Sequence, residues 1–523
     1  MKNIQLTLLA LLIVTVISAQ NSFNGFALYN SQGSSTTYLI DENQNIAHTW
    51  NLTTECNYTV QLKENGNLVR GTKNNGNVLS GAAEAGRVQE IAPDGSIVWD
   101  YVYSTTDYLS HHDLTLVGDN VLITAWEVKT STEVNDAGYD NSSSDKWPTH
   151  FVELADDGNG GATIVWEWHI WDHLIQDMDP NKPNYGVISD NPQLIDINMI
   201  QSQGGPGGGG GDWFHVNGVD YNEDLDQIVF SSRHASEIYI IDHSTTTTEA
   251  ASHSGGNSGM GGDIMYRWGN PDNYNMSGNQ VIPSAVHDAR WIENDGRPNG
   301  GFLQIFNNSG VSNSQSAIDG ISTPWDATTG SYLRTTGQSF GPSNYTTRYE
   351  CAYSASGQSA SDRMSNGNIY VNASGGQGGA GLMYEVDQSG NIVWGPYNAQ
   401  SPKGFRYECD YPGIIALEPY MNSETSSCFN STSVESINKE GLSVYPNPTN
   451  SDITIEFESS INSDIKIGVY NTLGQEVFSQ QINSFSGQFK QEIDLKDFSE
   501  GIYIVNVISE NGKLFTKRIS YIK

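Results

Sequence analysis

Val88-Gln-Glu-Ile-Ala-Pro-Asp94-Gly95-Ser-Ile-Val-Trp99 and Met383-Tyr-Glu-Val-Asp387-Gln-Ser-Gly390-Asn-Ile-Val-Trp394 are near copies of one another. Each reads as two strands joined by an Asp/Asn/Gly turn and ending on a Trp. Phe151-Val-Glu-Leu and Thr163-Ile-Val-Trp166 repeat the pattern around a longer turn. A second cassette alternates with the first: Gln61-Leu-Lys-Glu-Asn-Gly66-Asn-Leu-Val, Leu114-Thr-Leu-Val-Gly118-Asp-Asn-Val-Leu-Ile and Arg363-Met-Ser-Asn-Gly367-Asn-Ile-Tyr-Val. Paired hairpins repeated in this way predict four-stranded blades, and the length between the chain ends predicts an all-β, six-bladed β-propeller. Trp99, Trp166 and Trp394 then read as blade core. Such a fold points inner-strand side chains from several blades into one funnel, where distant residues converge.

The ends of the chain set the compartment. Met1-Lys-Asn precedes an apolar run from Ile4 to Ile17 and then Ser18-Ala19-Gln20, which reads as a secretory signal peptide over 1–19. No later stretch is long and apolar enough to span a bilayer, so an exported chain is expected. Cys56, Cys351, Cys409 and Cys428 suit an oxidising location and allow three pairings if both disulfides form. With 25 Lys plus Arg against 60 Asp plus Glu, net charge -35, the chain lacks the basic face that nucleic acid or an anionic membrane requires.

After a polar linker at 431–441, residues 442–523 carry alternating runs such as Ile453-Thr-Ile-Glu-Phe and Ile502-Tyr-Ile-Val-Asn-Val, which predict short strands in a small Ig-like β-sandwich. Tyr445-Pro-Asn-Pro448, Gly501-Ile-Tyr-Ile-Val and the terminal Gly512-Lys-Leu-Phe-Thr-Lys517-Arg518 occur here. With them this unit resembles the type A C-terminal sorting domain of the type IX secretion system (T9SS) in Bacteroidetes. The resemblance implies passage through the periplasm and across the outer membrane by that machinery, with release of the protein or its attachment to the cell surface.

The main domain, 20–430, holds Asp212-Trp-Phe-His215-Val-Asn217, Ser231-Ser-Arg233-His, Tyr266-Arg-Trp-Gly-Asn270-Pro, His287-Asp-Ala-Arg290, Arg363-Met-Ser-Asn-Gly-Asn368 and Phe405-Arg-Tyr followed by Asp410-Tyr-Pro-Gly. In this order the motifs resemble those of the arylsulfate sulfotransferases (arylsulfotransferases), exported propeller enzymes that move a sulfuryl group between phenols. The resemblance implies a PAPS-independent, ping-pong reaction through a sulfohistidine, with a phenolic sulfate donor, a phenolic acceptor and no cofactor. His287 matches the family nucleophile. His112, His215 and Arg233 complete the expected catalytic set, either His112 or His215 acting as acid and base, while Asn217, Arg290 and Arg363 are candidate substrate contacts.

The residue types suit the chemistry. A sulfate ester spreads negative charge over three oxygens and resists attack until fixed donors meet that charge, and the planar fork of Arg does this bidentately. A neutral imidazole is a competent nucleophile. Strand alternation turns His111 away from His112, and Asp288 away from His287. His48, His150, His169, His173, His243 and His253 read as structural or exposed. No metal is expected, since an arginine among the three histidines would repel a cation, and the glycine run 204–211 lacks the Lys-Ser/Thr helix of a phosphate loop. Two other functions fit the same motifs: a non-catalytic propeller binding sulfated or acidic glycans, and a propeller sulfatase.

Overall fold

The computed structural model describes residues 22–200, 211–276, 278, 280–376, 379–422, 426, 428, 429, 442–447, 449–471, 475–496, 498–509 and 512–522. The expected signal peptide at 1–19, the glycine run up to residue 210 and the expected linker at 431–441 lie outside the described residues. The chain is nearly all β, 47% strand against 8% helix. It divides into two compact units, one ending at Cys428 and one beginning at Phe429.

Among the described residues the first unit contains six four-stranded antiparallel sheets. Five follow chain order and start at Cys56–Leu62, Tyr108–Val117, Val216–Asn222, Val286–Trp291 and Ala360–Arg363. The sixth joins both ends of the unit: Gly404–Glu408 pairs with Gly25–Asn30, setting Phe26 opposite Tyr407, and Thr36–Ile40 and Ile46–Asn51 follow. The first strands of the six sheets touch one another in a closed cycle.

Local chemistry explains why the cassettes repeat. Gly95 and Gly390 sit at φ +86° and +81° in their turns, a conformation that costs glycine nothing. Across the hairpins Glu90 faces Trp99 and Glu385 faces Trp394. The turn Asn of the second cassette type satisfies the buried glutamate: Asn67 Nδ2 donates to Glu90 at 2.6 Å, Asn120 Nδ2 to Glu153 at 2.6 Å, and Asn368 Nδ2 to Glu385. The tryptophans are buried and also tie sheet to sheet. The indole N–H of Trp99 donates to the Gly161 carbonyl at 2.8 Å, that of Trp166 to Thr245 Oγ1 at 3.1 Å and that of Trp394 to the Glu42 carbonyl at 2.8 Å, each acceptor lying in a turn or connection of the next sheet.

Cys409 and Cys428 form a disulfide just beyond the closing strand. Cys56 and Cys351 remain free and buried, so the second bridge allowed by the sequence does not form. In the second unit five strands make one sheet, and Asp452–Asn471 and Glu476–Asp494 run for 20 and 19 residues where short strands were expected. Asp452–Asn471 pairs with Ser443–Tyr445 along its first part and with Gly501–Ser509 along its last. Ile455, Ile467, Val469, Val505 and Ile519 fill the core of this unit.

Candidate active site

Three first strands break their regular pairing at or beside a histidine. Register shifts lie between Ser110 and Leu114, between Val216 and Gly218, and between His287 and Arg290. His112, His215 and Asp288 adopt φ +52°, +52° and +55°. Left-handed backbone at non-glycine residues costs about 1–3 kcal/mol each and persists only where surrounding contacts over-determine it. Beside His112 and at Asp288 those contacts come from the aspartates. Asp113 accepts from Thr59 Oγ1, from the Val219 amide at 3.0 Å and from Lys403 Nζ at 2.6 Å. Asp288 accepts from the Ser361 amide at 2.9 Å and from Lys403 Nζ at 3.2 Å. The His-Asp steps therefore split their labour: the aspartate joins neighbouring sheets and the histidine belongs to the cluster.

His112, His215 and His287 come together with Arg233. The rings of His112 and His215 are 4.6 Å apart. A Cβ added to Gly357 would lie 3.7 Å from Arg233 Nη1 and 4.0 Å from His287 Cε1, so the guanidinium and the imidazole flank one glycine. Arg233 donates to the Ser356 carbonyl at 3.2 Å and pairs with no carboxylate among the described residues. In a chain of net charge -35, that leaves most of the guanidinium fork for an anion.

Hydrogen bonds set the ring tautomers. Both the Ala285 carbonyl, at 2.9 Å, and Asn308 Oδ1, at 2.8 Å, face His287 Nδ1. The Asn308 amide nitrogen donates to the carbonyls of Ala355 and Gln358, which fixes its oxygen toward the ring. His287 thus carries its proton on Nδ1 and its lone pair on Nε2. Burial first, and then the Arg233 charge, hold the ring well below the ordinary imidazole range, so it stays neutral. His215 Nδ1 donates to Asp212 Oδ2 at 2.5 Å, and Trp126 Nε1 donates to Asp212 Oδ1 at 3.0 Å. Burial pushes the Asp212 carboxyl up, and the His215 ring more than offsets it, leaving Asp212 ionised below its usual range.

His111 does not turn away. The break after Ser110 defeats strand alternation, and His111 Nδ1 lies 2.7 Å from His112 Nδ1 while its ring stacks on Trp126 at 4.1 Å. Burial drives His111 down to about 3 and, with His215 next, holds His112 well below the imidazole range.

Three candidate contacts are placed differently from expectation. Asn217 is buried with both ends of its amide engaged, Nδ2 donating to the Val286 carbonyl at 2.8 Å and Oδ1 accepting from Ser231 at 2.7 Å, so it braces strands rather than facing a ligand. Arg290 points to the far end of its strand, against Asp288 at 3.3 Å, Asp362 at 3.7 Å and the Phe405 ring at 4.7 Å. There it lines a cavity of about 360 Å³ with Asp220, Glu293 and Tyr407. Arg363, at the same strand ends, bonds the Gly367 carbonyl at 3.2 Å. Neither arginine joins the histidines. Lys403, by contrast, was missed: fully buried, it pairs with Asp113 and Asp288, and its charge helps keep His112 and His287 neutral.

No helix among the described residues is long and apolar enough to cross a membrane. No curated protein matches the chain. Among solved structures it is similar to a protein of unknown function from Bacteroides caccae (10% identity, 73% of this chain and 98% of that one, TM-score 0.40). It is also similar to the Cps50 (Swd1) β-propeller domain of Myceliophteria thermophila (9% identity, 73% and 89%, TM-score 0.33). A third similarity is to Citrobacter koseri AztD (10% identity, 91% and 99%, TM-score 0.31). Residues 443–521 match the secretion system C-terminal sorting domain of the T9SS, which indicates export from the cell or to its surface. Residues 14–328 match the arylsulfotransferase (ASST) family, and the chain belongs to that family.

Proposed function

We propose that the protein is an exported, PAPS-independent arylsulfate sulfotransferase that transfers a sulfuryl group from a phenolic sulfate ester to a phenol through a sulfohistidine at His287. In this reading the six sheets are the blades of a six-bladed propeller, the tail is an Ig-like sandwich read by the type IX machinery, and the histidines lie at one mouth of the funnel. The observation that carries the mechanism is the pinned Nδ1–H of His287, which leaves Nε2 as the nucleophile beside an arginine with no carboxylate partner among the described residues.

In the first half-reaction the Nε2 lone pair attacks sulfur and the S–O(aryl) bond breaks, its electron pair leaving on the aryl oxygen. His215 as imidazolium gives its Nε2 proton to the departing phenolate, and Asp212 stabilises that imidazolium as it does in other Asp-His pairs. In the second half neutral His215 takes the proton of the incoming phenol, whose oxygen attacks sulfur and expels the His287 ring. The Nδ1 proton stays on His287 throughout, held by Ala285 and Asn308, so the sulfonated ring remains a good leaving group. Arg233 and the Nε2 atom of His112 supply donors to the sulfuryl oxygens.

p-Nitrophenyl sulfate, offered with and without a second phenol, tests the reading. Nitrophenol release that depends on the acceptor, with a sulfated acceptor as product, is the expected result. Acceptor-independent release would make the protein a sulfatase, and binding without release would make it a non-catalytic receptor for sulfated or acidic ligands.

A further inference from the structure

A second histidine cluster stands apart from the nucleophile. His173 ends a short 3₁₀ turn after the strand Ala162–His169, whereas His253 and Asp263 belong to the connection between Glu237–Asp242 and Tyr266–Gly269. We propose that His173, His253 and Asp263 bind a divalent transition-metal ion of the zinc class. His173 Nδ1 and His253 Nδ1 lie 2.8 Å and 2.7 Å from the same atom, Asp263 Oδ1, and one ligand atom from each residue falls within 4.8 Å of the others.

What singles this cluster out is that two imidazole nitrogens converge on one carboxylate oxygen. His173 Nε2 lies 2.8 Å from the Ala250 carbonyl, which can only accept, so Nε2 carries hydrogen. A neutral ring then turns its Nδ1 lone pair toward Asp263 Oδ1, an approach relieved by a cation between the two atoms, either a second ring proton or a metal ion, and His253 Nδ1 faces the same oxygen. A backbone carbonyl fixing one imidazole nitrogen while the other faces a carboxylate is the usual outer support of a metal-ligating histidine. Two imidazoles and one carboxylate suit zinc-type ions and not the all-oxygen preference of calcium or magnesium. Bonds of about 2.0–2.1 Å in a tetrahedron set donors about 3.3 Å apart, a small opening of the present contacts.

The surroundings are built. Trp168 stacks on His173 with ring centroids 5.5 Å apart, and its indole N–H donates to the Gly262 carbonyl at 2.7 Å. Gly262 backs against the ring so closely that a Cβ there would sit 2.6 Å from His173 Nε2. His173 is sealed from solvent while the His253 side chain is 61% exposed, which gives the ion an entry side and a position for water. Held this way, the ion would cross-link the glycine-rich connection to the preceding sheet and add its binding free energy to folding.

Calorimetric titration of chelator-treated full-length protein with Zn²⁺ is expected to show one site per chain, Co²⁺ to give the visible bands of a tetrahedral ion, and Zn²⁺ to raise the melting temperature. His253→Ala, a change at an exposed ring, should weaken Zn²⁺ binding by about 10–100-fold or more and remove the thermal shift. Asp263→Asn should do the same, and His287→Ala should bind like the parent. Absence of stoichiometric Zn²⁺ binding, unchanged binding in His253→Ala, or loss of binding in His287→Ala would overturn the assignment.

Discussion

Asn308 presents its carbonyl oxygen to His287 Nδ1 at 2.8 Å because its amide nitrogen is already committed to Ala355 and Gln358. Removing that oxygen leaves only the Ala285 carbonyl to hold the tautomer. Asn308→Ala should lower kcat by about 10–100-fold with little change in KM, and His287→Ala or His287→Asn should abolish turnover while the fold persists. Steady-state rates with p-nitrophenyl sulfate, and capture of ³⁵S on the protein after an acceptor-free quench, check both. Activity retained in His287→Ala would end the covalent mechanism.

Asp212 serves His215 as acceptor for Nδ1–H. Asn in its place offers an amide that can stabilise the wrong tautomer and cannot balance an imidazolium, so Asp212→Asn should cost on the order of 10²–10⁴ in kcat. The loss should be smaller for p-nitrophenyl sulfate, whose phenolate leaves unaided, than for esters of less acidic phenols. An equal loss across donors of differing leaving-group pKa would remove His215 as the acid.

Arg233→Lys keeps the charge and discards the fork. If the guanidinium meets two sulfuryl oxygens at once, the change should reduce kcat/KM by about 10²–10³-fold, in the range seen when an oxyanion donor is lost. Steady-state kinetics decide it, and near-parent activity would show that the guanidinium does not hold the sulfuryl group.

The Cys409–Cys428 bridge spans 19 residues directly after the strand that completes the ring. Ser at both positions should lower unfolding free energy by about 2–4 kcal/mol, measured by denaturant titration. Cys56 and Cys351 are free, so mild reduction should destabilise the parent and leave the double variant unchanged.

Acid should loosen the fold in a window set by buried imidazoles. His48, His111, His112, His150, His234 and His287 are shifted down, with burial the main cause in each, whereas His169 and His243 are shifted up. For a lowered imidazole the unfolded chain binds the proton first, so its stability contribution is complete above the unfolded value of about 6.5 and is lost as pH falls toward the folded value, about 3 for His111 and His150. The two raised histidines oppose this, as do Asp196 and Asp220, raised to about 6 by burial, and Glu293 and Asp362, raised likewise, but a carboxyl raised to about 6 adds stability only below that value, whereas each deeply lowered imidazole loses it from about 6.5 downward. The melting temperature should therefore drop between pH 7 and pH 5, and His111→Phe should flatten the slope.

The hairpin cassettes could be read because turn glycines, the Asn-Glu pair and the terminal Trp recur at fixed spacing, and each has a local physical job. The grouping of His112, His215, His287 and Arg233 came from motifs, the histidines on or just before first strands and Arg233 just after the second strand of its sheet. What escaped reading depends on breaks in those strands. Alternation predicts that His111 leaves the cluster, and a left-handed residue at 112 reverses it. Lys403 lies in Ser-Pro-Lys-Gly with no pattern around it, and its partners are 290 and 115 residues away. Arg290 looks like a neighbour of His287 in the sequence, yet three strand residues carry it to the other end, where aspartates bind it.

Because Gly25–Asn30 finds its inner partner in Gly404–Glu408, the ring cannot shut until almost the whole unit has been delivered to one place. Any truncation upstream of Gly404 would strand an apolar edge ready to recruit another chain. Pairing across so long a separation makes closure a late and slow event, and an emerging polypeptide would need shelter until the final strand arrives.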